Sequence, residues 1–578
     1  MNDKTGSKDR KDQKNQQERN DRGKPDKKET RRILERIAGA EEWRDRQYGA
    51  LWQDCFRRYR SRPEGPREGS NLFVPYTFMQ AEVIKARLEE SLFAQRPYIS
   101  ALPREGGDTE QAEKMQLLLD WQLNERMDLP RLLSEEIAAG IVIYGTGVVY
   151  TGWQVRTRQV RRGRWGQQPL LDDQGQPLRD EQGRPLTCAV QESDEEREVI
   201  YDDPVVANIP LTDFFVDPTA DTVAKARFCG HREYVTRERL RELEREGLYR
   251  IDWDDLKPLE EKRPDDSFEP EEAQGLYLLH HYWEDDRRLV FLNRQQCVCA
   301  GGNPFWHGMK PYDKCCYAPV PGEFYGMGVP ELLTGLQDEL NTARNQRIDY
   351  NSLSLRRMWK LRRGCGLTGR DLLWRQNGVL QVENMDDVQE INVQPLPGDA
   401  FAHEAGVKQD MQDVTGCYDI LMGVGYANET ATTTVTRDNN ASLRFKSVVR
   451  AIIKDLLLPI AGKCLALDQQ FLDQERALRL VGRPLDELFR VSPEELAGDY
   501  DVIYCGTATE SLANRERNRE RVLQAYSLAL SDPAYLRDDQ ARLKLFRKAL
   551  LALGLSDAEE LLPAAALPGP EEERLQLT

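Results

Sequence analysis

Side chains able to do chemistry are sparse and scattered in this 578-residue chain. Its five histidines are His231, His280, His281, His307 and His403. None sits in a zinc-protease pattern, and no Gly-x-Ser-x-Gly nucleophile elbow occurs. Asp202, Asp203, Asp213 and Asp217 are the acids most suggestive of a metal-dependent nuclease, which needs clustered carboxylates. Asp217 also precedes Pro218, a turn-forming pair. Cys297-Val-Cys299 followed by Cys315-Cys316 is the nearest approach to a thiolate metal site. Zinc ligand pairs usually stand about two to four residues apart, and an adjacent Cys-Cys pair chelates poorly. Eleven cysteines without regular spacing predict buried thiols in a reducing cytosol, not a disulfide framework. No Gly-x-x-x-x-Gly-Lys-Ser/Thr loop is present; Ala461-Gly-Lys-Cys464 lacks both the glycine spacing and the hydroxyl for magnesium. Gly326-x-Gly328 and Gly423-x-Gly425 lack the strand-helix context of a dinucleotide site. These patterns predict no catalytic residue, no cofactor and no metal centre.

The elements that carry these residues are helix-rich with wide solvated faces, because apolar content is 39% and charged content 31%. Lysine plus arginine number 81 against 98 acids, a net charge of −17. A DNA-coating protein usually shows the opposite balance. An acidic chain suits weak, sliding contact, as in a tunnel wall that repels the phosphate backbone. The charged N-terminus does not read as a signal peptide. The longest uncharged run, Ile137 to Trp153, carries four glycines and is too short for a membrane span. It reads as a helix end, a glycine turn and a buried strand.

Along the chain, residues 1 to 30 read as a disordered basic tail. Helical patterns follow to Tyr59 and again after Asn71-Leu-Phe-Val-Pro-Tyr-Thr-Phe78. Residues 156 to 200 read as a hairpin insertion, in which Asp173-Gln-Gly-Gln-Pro-Leu178 recurs as Glu181-Gln-Gly-Arg-Pro-Leu186 and supplies turns. The organising stretch is Phe324 to Leu361. Tyr325-Gly-Met-Gly-Val-Pro330 reads as a flexible turn with Pro330 in the first helical turn. Leu332, Leu336, Leu340, Arg344 and Ile348 then repeat every four residues, flanked by Gln, Asn, Asp and Arg. A helix of that length spans about 45 Å. With one narrow apolar stripe it either packs against copies of itself or lies on the surface of a single domain.

This stretch resembles the segment of tailed-phage portal proteins that leads into the stem of the head-to-tail connector, in the short-tailed-phage and prophage type. Three further stretches resemble the same family in order. They are the succession from Asn71 to Val155, the run Asp213-Phe-Phe-Val-Asp-Pro218 with His231, and Met422-Gly-Val-Gly-Tyr-Ala-Asn-Glu-Thr430 with the long helix after it. Thr433 or Thr434 stands where the family signature has a glutamate. The resemblance covers roughly residues 70 to 530.

The resemblance implies an α+β portal fold with a mixed α/β wing, long stem helices, a small α/β clip, a kinked tunnel-loop helix and a helical C-terminal crown. The implied map is wing 31–328, stem helix 329–361, clip 362–398, second stem helix 399–416, tunnel loop and kinked helix 417–475, wing again 476–530, and crown with loose tail 531–578. Strands within the clip are expected at Leu372–Trp374, Gly378–Val382 and Val388–Val393, and a bend at Pro459. The tunnel loop would comprise Gly423, Gly425, Tyr426, Asn428, Glu429 and Thr430. Arg362, Arg363, Arg370, Trp374 and Arg375 form a basic-aromatic cluster that would dock a motor or adaptor, or make salt bridges between subunits. Lys446, Arg450 and Lys454 form a basic stripe that would face acidic neighbours or phosphates.

The implied assembly is a homo-oligomeric ring, in this family usually of twelve subunits, at the portal vertex of the virion capsid. Double-stranded DNA would be packaged and ejected through its channel, with no enzymatic step in this chain. The implied partners are the terminase large subunit, capsid and scaffold proteins and a tail adaptor, with assembly in the host cytoplasm and no membrane. Two alternatives stand beside it: a metal-dependent DNA-processing enzyme built on the four aspartates, and a structural adaptor that forms no ring.

Overall fold

The computed structural model describes residues 25–66, 68–93, 96–103, 109–169, 187–254, 275–356, 358–372, 379–382, 384–391, 399–417, 445–472, 476–478, 489–491, 500–505 and 522–529, with positions 256, 258, 376, 496, 498, 546, 549 and 550. The first helix, α1 (Lys27–Arg44), starts inside the stretch expected to be a tail. Asp26 explains the early start: its carboxylate accepts the Glu29 N–H at 2.7 Å and satisfies a donor of the first turn. A wide π turn at Asp45–Gly49 leads into α2 (Ala50–Tyr59). Then come α3 (Tyr76–Phe93), strand β1 (Ile99–Pro103), α4 (Thr109–Trp121), α5 (Leu129–Leu132) and α6 (Ala138–Tyr144).

Two long strands follow, β2 (Thr146–Pro169) and β3 (Thr187–Ile209), paired antiparallel along their whole length. Next are β4 (Phe214–Val216), β5 (Cys229–Val235), α7 (Arg237–Arg245), β6 (Tyr277–Trp283), β7 (Arg287–Leu292) and β8 (Gln296–Gly302). β4 to β8 form a five-stranded antiparallel meander, while β9 (Tyr312–Cys316) joins the other edge of β2. The remaining elements begin with α8 (Val329–Leu332), α9 (Thr334–Leu355), β10 (Met358–Leu361), β11 (Val388–Ile391) and α10 (Asp399–Thr415). They end with α11 (445–452), α12 (Leu458–Phe471), β12 (Arg476–Leu478), β13 (Phe489–Val491), β14 (Tyr500–Tyr504) and α13 (522–529). Every described strand pairing is antiparallel, and the mix of helix and sheet is α+β.

β6 is buried along its whole length because both faces of the meander are covered. α1 packs Ile33, Ile37 and Ala40 against Phe228, Tyr282 and Phe291 on one face. α7 packs Leu240 and Leu243 against Tyr277, Leu279 and Val290 on the other. An aromatic core of Trp52, Phe214, Trp283, Tyr312, Phe324 and Tyr325 joins this sheet to β9 and α2. The largest core gathers α3, α6 and the α11–α12 segment, with Ile84, Leu88, Ile141, Val449, Leu456 and Ile460. β1 pairs with β14, so sequence-distant segments share one sheet.

Two glycine motifs interlock at the centre. Gly145 (φ +83°) ends α6, and a Cβ there would overlap the Gly326 carbonyl. A Cβ on Gly328 would overlap the carbonyl of Ile143. Tyr317 N–H donates to Gly145 O at 2.9 Å, and Gly326 N–H donates to Thr146 Oγ1 at 2.8 Å. The Tyr325–Pro330 stretch is therefore a tightly seated junction, not a flexible turn: its glycines permit backbone to lie against backbone.

The stem helix is shorter than the expected 329–361. It breaks after Leu332 and ends at Leu355, beyond which Arg356 is extended. Met358–Leu361 pairs with Val388–Ile391, so inter-strand bonds replace the last helical turn. The described parts of the other two expected clip strands, residues 372 and 379–382, are not in strands. Near Pro459 the ladder opens at a π turn, Ile453–Leu457, which places the proline in the first turn of α12, where its missing N–H costs little. The tunnel loop, the turn of the hairpin insertion and nearly all of the expected crown lie outside the described residues.

Candidate functional site

α9 is the helix expected to form the stem, and its polar flank has a use that its sequence did not disclose. Gln337, Asn341, Asn345 and Asp349 recur every four residues and hydrogen-bond the extended segment 70–74 and the start of α3 at Thr77. Ser70 N–H donates to Asp349 Oδ1, Leu72 N–H to Asn345 Oδ1 and Val74 N–H to Asn341 Oδ1, each at 2.8 Å. Asn345 Nδ2 donates back to Leu72 O at 2.9 Å, and Gln337 Nε2 to Val74 O at 2.8 Å. Two strand residues advance about 6.6 Å and four helix residues about 6.0 Å. An i, i+4 row of amides therefore meets alternate peptides of an extended chain.

α10 packs beside α9 through one carboxylate. Glu404 is buried and pairs with Arg344, with Arg347 at 2.8 Å and with Lys408 at 3.2 Å. Arg347 also lies over the Phe401 ring, 4.9 Å from its centroid. Arg344, in the row of four-residue repeats, thus points to this hub. Gly416 (φ +71°) closes α10 in the left-handed conformation that favours glycine.

The segment expected to form the clip has almost no interior of its own. From residue 351 to 391 Asp387 is the one buried side chain among the described residues. It joins the Asn384 cap, and its carbonyl accepts the Arg362 N–H at 3.0 Å. Arg362, Arg363 and Arg370 are exposed, whereas Trp374 and Arg375 lie outside the described residues. Apolar side chains share this exposure: Leu355 is 83% and Met385 88% accessible. On the α11–α12 segment Val448, Val449, Ile452, Ile453 and Leu456 face the core, and Arg450 and Lys454 are exposed with Lys446 half-buried. The stripe is thus the solvated edge of an amphipathic segment.

The four aspartates do not meet in one site. Arg126 Nε donates to Asp203 Oδ2 at 2.8 Å, and Trp153 Nε1 to Asp202 Oδ1 at 2.8 Å. Arg232 pairs with Asp213 at 3.3 Å, and Arg227 Nη2 donates to Asp217 Oδ1 at 2.9 Å. The Arg227 bond holds the Asp217 carboxyl well below its usual range against the opposing effect of burial, and Thr219 adds to it. Each acid is engaged locally, in the manner of a structural ion pair or turn. The four cysteines are dispersed: Cys297 lies with α1, Cys299 beside the α7 cluster, Cys315 in the helical core, and Cys316 is half-buried with its Sγ 3.7 Å from Thr146 Oγ1. Burial pushes the Cys315 thiol well up and that of Cys299 up, which disfavours the thiolate a metal needs.

No described helix is long and apolar enough to cross a membrane. No curated protein matches the chain. A family model described as phage SU10 portal protein matches residues 31–578, nearly the whole length. The ordered resemblances along the sequence and this match agree: the chain belongs to the phage SU10 portal protein family.

Proposed function

We propose that the chain is the subunit of a portal ring at one capsid vertex, through which double-stranded DNA is packaged and later ejected. The family match carries the reading. The clip supports the ring: a segment with apolar side chains exposed and almost none buried gains its stability by packing against copies of itself. Its arginines 362, 363 and 370 would then dock the terminase motor and afterwards a tail adaptor. Capsid and scaffold proteins would surround the wing. The basic edge of Lys446, Arg450 and Lys454 would meet acidic neighbours, since a gripping stripe hinders sliding. The loop from Gly423 to Thr430 would line the channel. Work is supplied by a separate motor, and this chain contributes a passive, acidic wall. Electron microscopy and native mass spectrometry of the purified chain test this directly. Rings with a central channel and a mass near twelve chains are expected. Monomers that persist across salt and protein concentration would overturn it.

A further inference from the structure

We propose that His231, Glu233 and His281 form a binding site for a divalent transition-metal ion of the zinc class, built on the face of the meander that looks toward β9. β5 and β6 run antiparallel with His231 directly opposite His281. Glu233 is two residues beyond His231, so its side chain leaves the same face of the sheet. One donor atom from each of the three lies within 4.8 Å of the other two, the one such metal-capable group among the described residues. His281 Nε2 is already 3.0 Å from Glu233 Oε2. The two imidazoles lie face to face, with centroids 4.6 Å apart and planes 9° from parallel. Ligand atoms around tetrahedral zinc stand about 3.4 Å apart, given bond lengths of about 2.0 to 2.1 Å. The group therefore needs small side-chain rotations, not backbone movement.

Three further features fit an ion and not merely a His–Glu ion pair. The donor set, two imidazoles and one carboxylate, is that of zinc sites with an open coordination position. His231 Nδ1 is 2.7 Å from the Tyr312 hydroxyl. In the tautomer with that nitrogen donating to the hydroxyl oxygen, Nε2 carries the lone pair, the outer-partner arrangement that metal-bound histidines use. Access is also provided: the Glu233 side chain is 52% exposed while His281 is buried, so the group is reached from solvent at Glu233. The Arg288 guanidinium is close enough to act on both His231 and Glu233. Its positive charge opposes any cation, so the ion must gain from nitrogen donors, and magnesium and calcium, which prefer all-oxygen sets, gain least.

The test is Co2+ titration of the full-length, chelator-treated protein, followed by ligand-field absorbance, with Zn2+ as competitor. One Co2+ per chain, displaced by Zn2+, is expected. His281→Ala and Glu233→Gln should each weaken binding at least about tenfold. Glu233→Gln keeps a half-exposed polar side chain in place, so its result stands even where His281→Ala fails to fold. Cys297→Ser should bind as the unaltered chain does. Absence of saturable binding, or equal binding by Glu233→Gln and the unaltered chain, overturns the site.

Discussion

At the scale of single residues, charge is managed by local pairing. Asp217 is buried, accepts from Thr219 N–H and Oγ1, and pairs with Arg227. Its carboxyl ionises well below the unfolded value of 3.8. A depressed carboxyl pKa stabilises the fold above the unfolded value, and that contribution is lost as pH falls through the folded one. The unaltered chain should therefore lose stability on acidification below about pH 4, partly through Asp217. Asp217→Asn should unfold at a lower temperature at pH 7, and its curve should be flatter between pH 4 and pH 2. Parallel melting curves for the two proteins would show that Asp217 carries no such linkage. Glu41 follows the same logic: burial opposes its ionisation, and His280, Arg232 and Arg294 overcome it.

At the scale of elements, α9 is held by hydrogen bonds as much as by apolar packing. Gln337 is fully buried and its oxygen accepts from Thr77 N–H at 3.1 Å and Thr77 Oγ1 at 2.7 Å. It thereby satisfies a donor in the first turn of α3 and ties that helix to the stem. Gln337→Leu keeps the volume but strands both Thr77 donors and removes one of two bonds to the Val74 carbonyl, which keeps the Tyr76 N–H at 2.8 Å. Leaving buried partners unmet costs about 1–3 kcal/mol each before relaxation and solvent entry, so a net loss of about 3 kcal/mol is expected. Denaturant unfolding measures it. A loss below about 1 kcal/mol would mean that solvent replaces these bonds freely.

At the scale of the whole molecule, the described residues between 355 and 391 carry exposed apolar side chains that their own chain does not cover. Leu355 and Met385 are already exposed in the subunit, so Leu355→Glu or Met385→Glu should leave its melting temperature nearly unchanged. A buried charge between neighbours would be strongly unfavourable, so the same variants should lose rings in favour of monomers. Mass photometry beside thermal unfolding separates the two effects. Rings that persist at unaltered concentration would place these side chains outside the subunit contact. With each subunit at −17, added salt should also favour assembly by screening repulsion.

Sequence alone determined the family, through motifs that follow one another in a fixed order, and through that resemblance the α+β class. It placed the glycine turn before β2 and the end of α10, because turn chemistry is local. It did not reveal why the glycines of 325–328 are there, since a close approach between Gly145 and Gly326 exists only when two distant segments meet. It overextended the stem helix, because Met358–Leu361 takes strand form through pairing with Val388–Ile391. It read the polar row of α9 as a surface, because its partner is backbone, which has no sequence signature. It offered the aspartates and cysteines only as the nearest approach to metal donors, and tertiary structure paired or dispersed them. Among the described residues the one converging donor set is His231, Glu233 and His281, because antiparallel register alone decides which residue stands across from another.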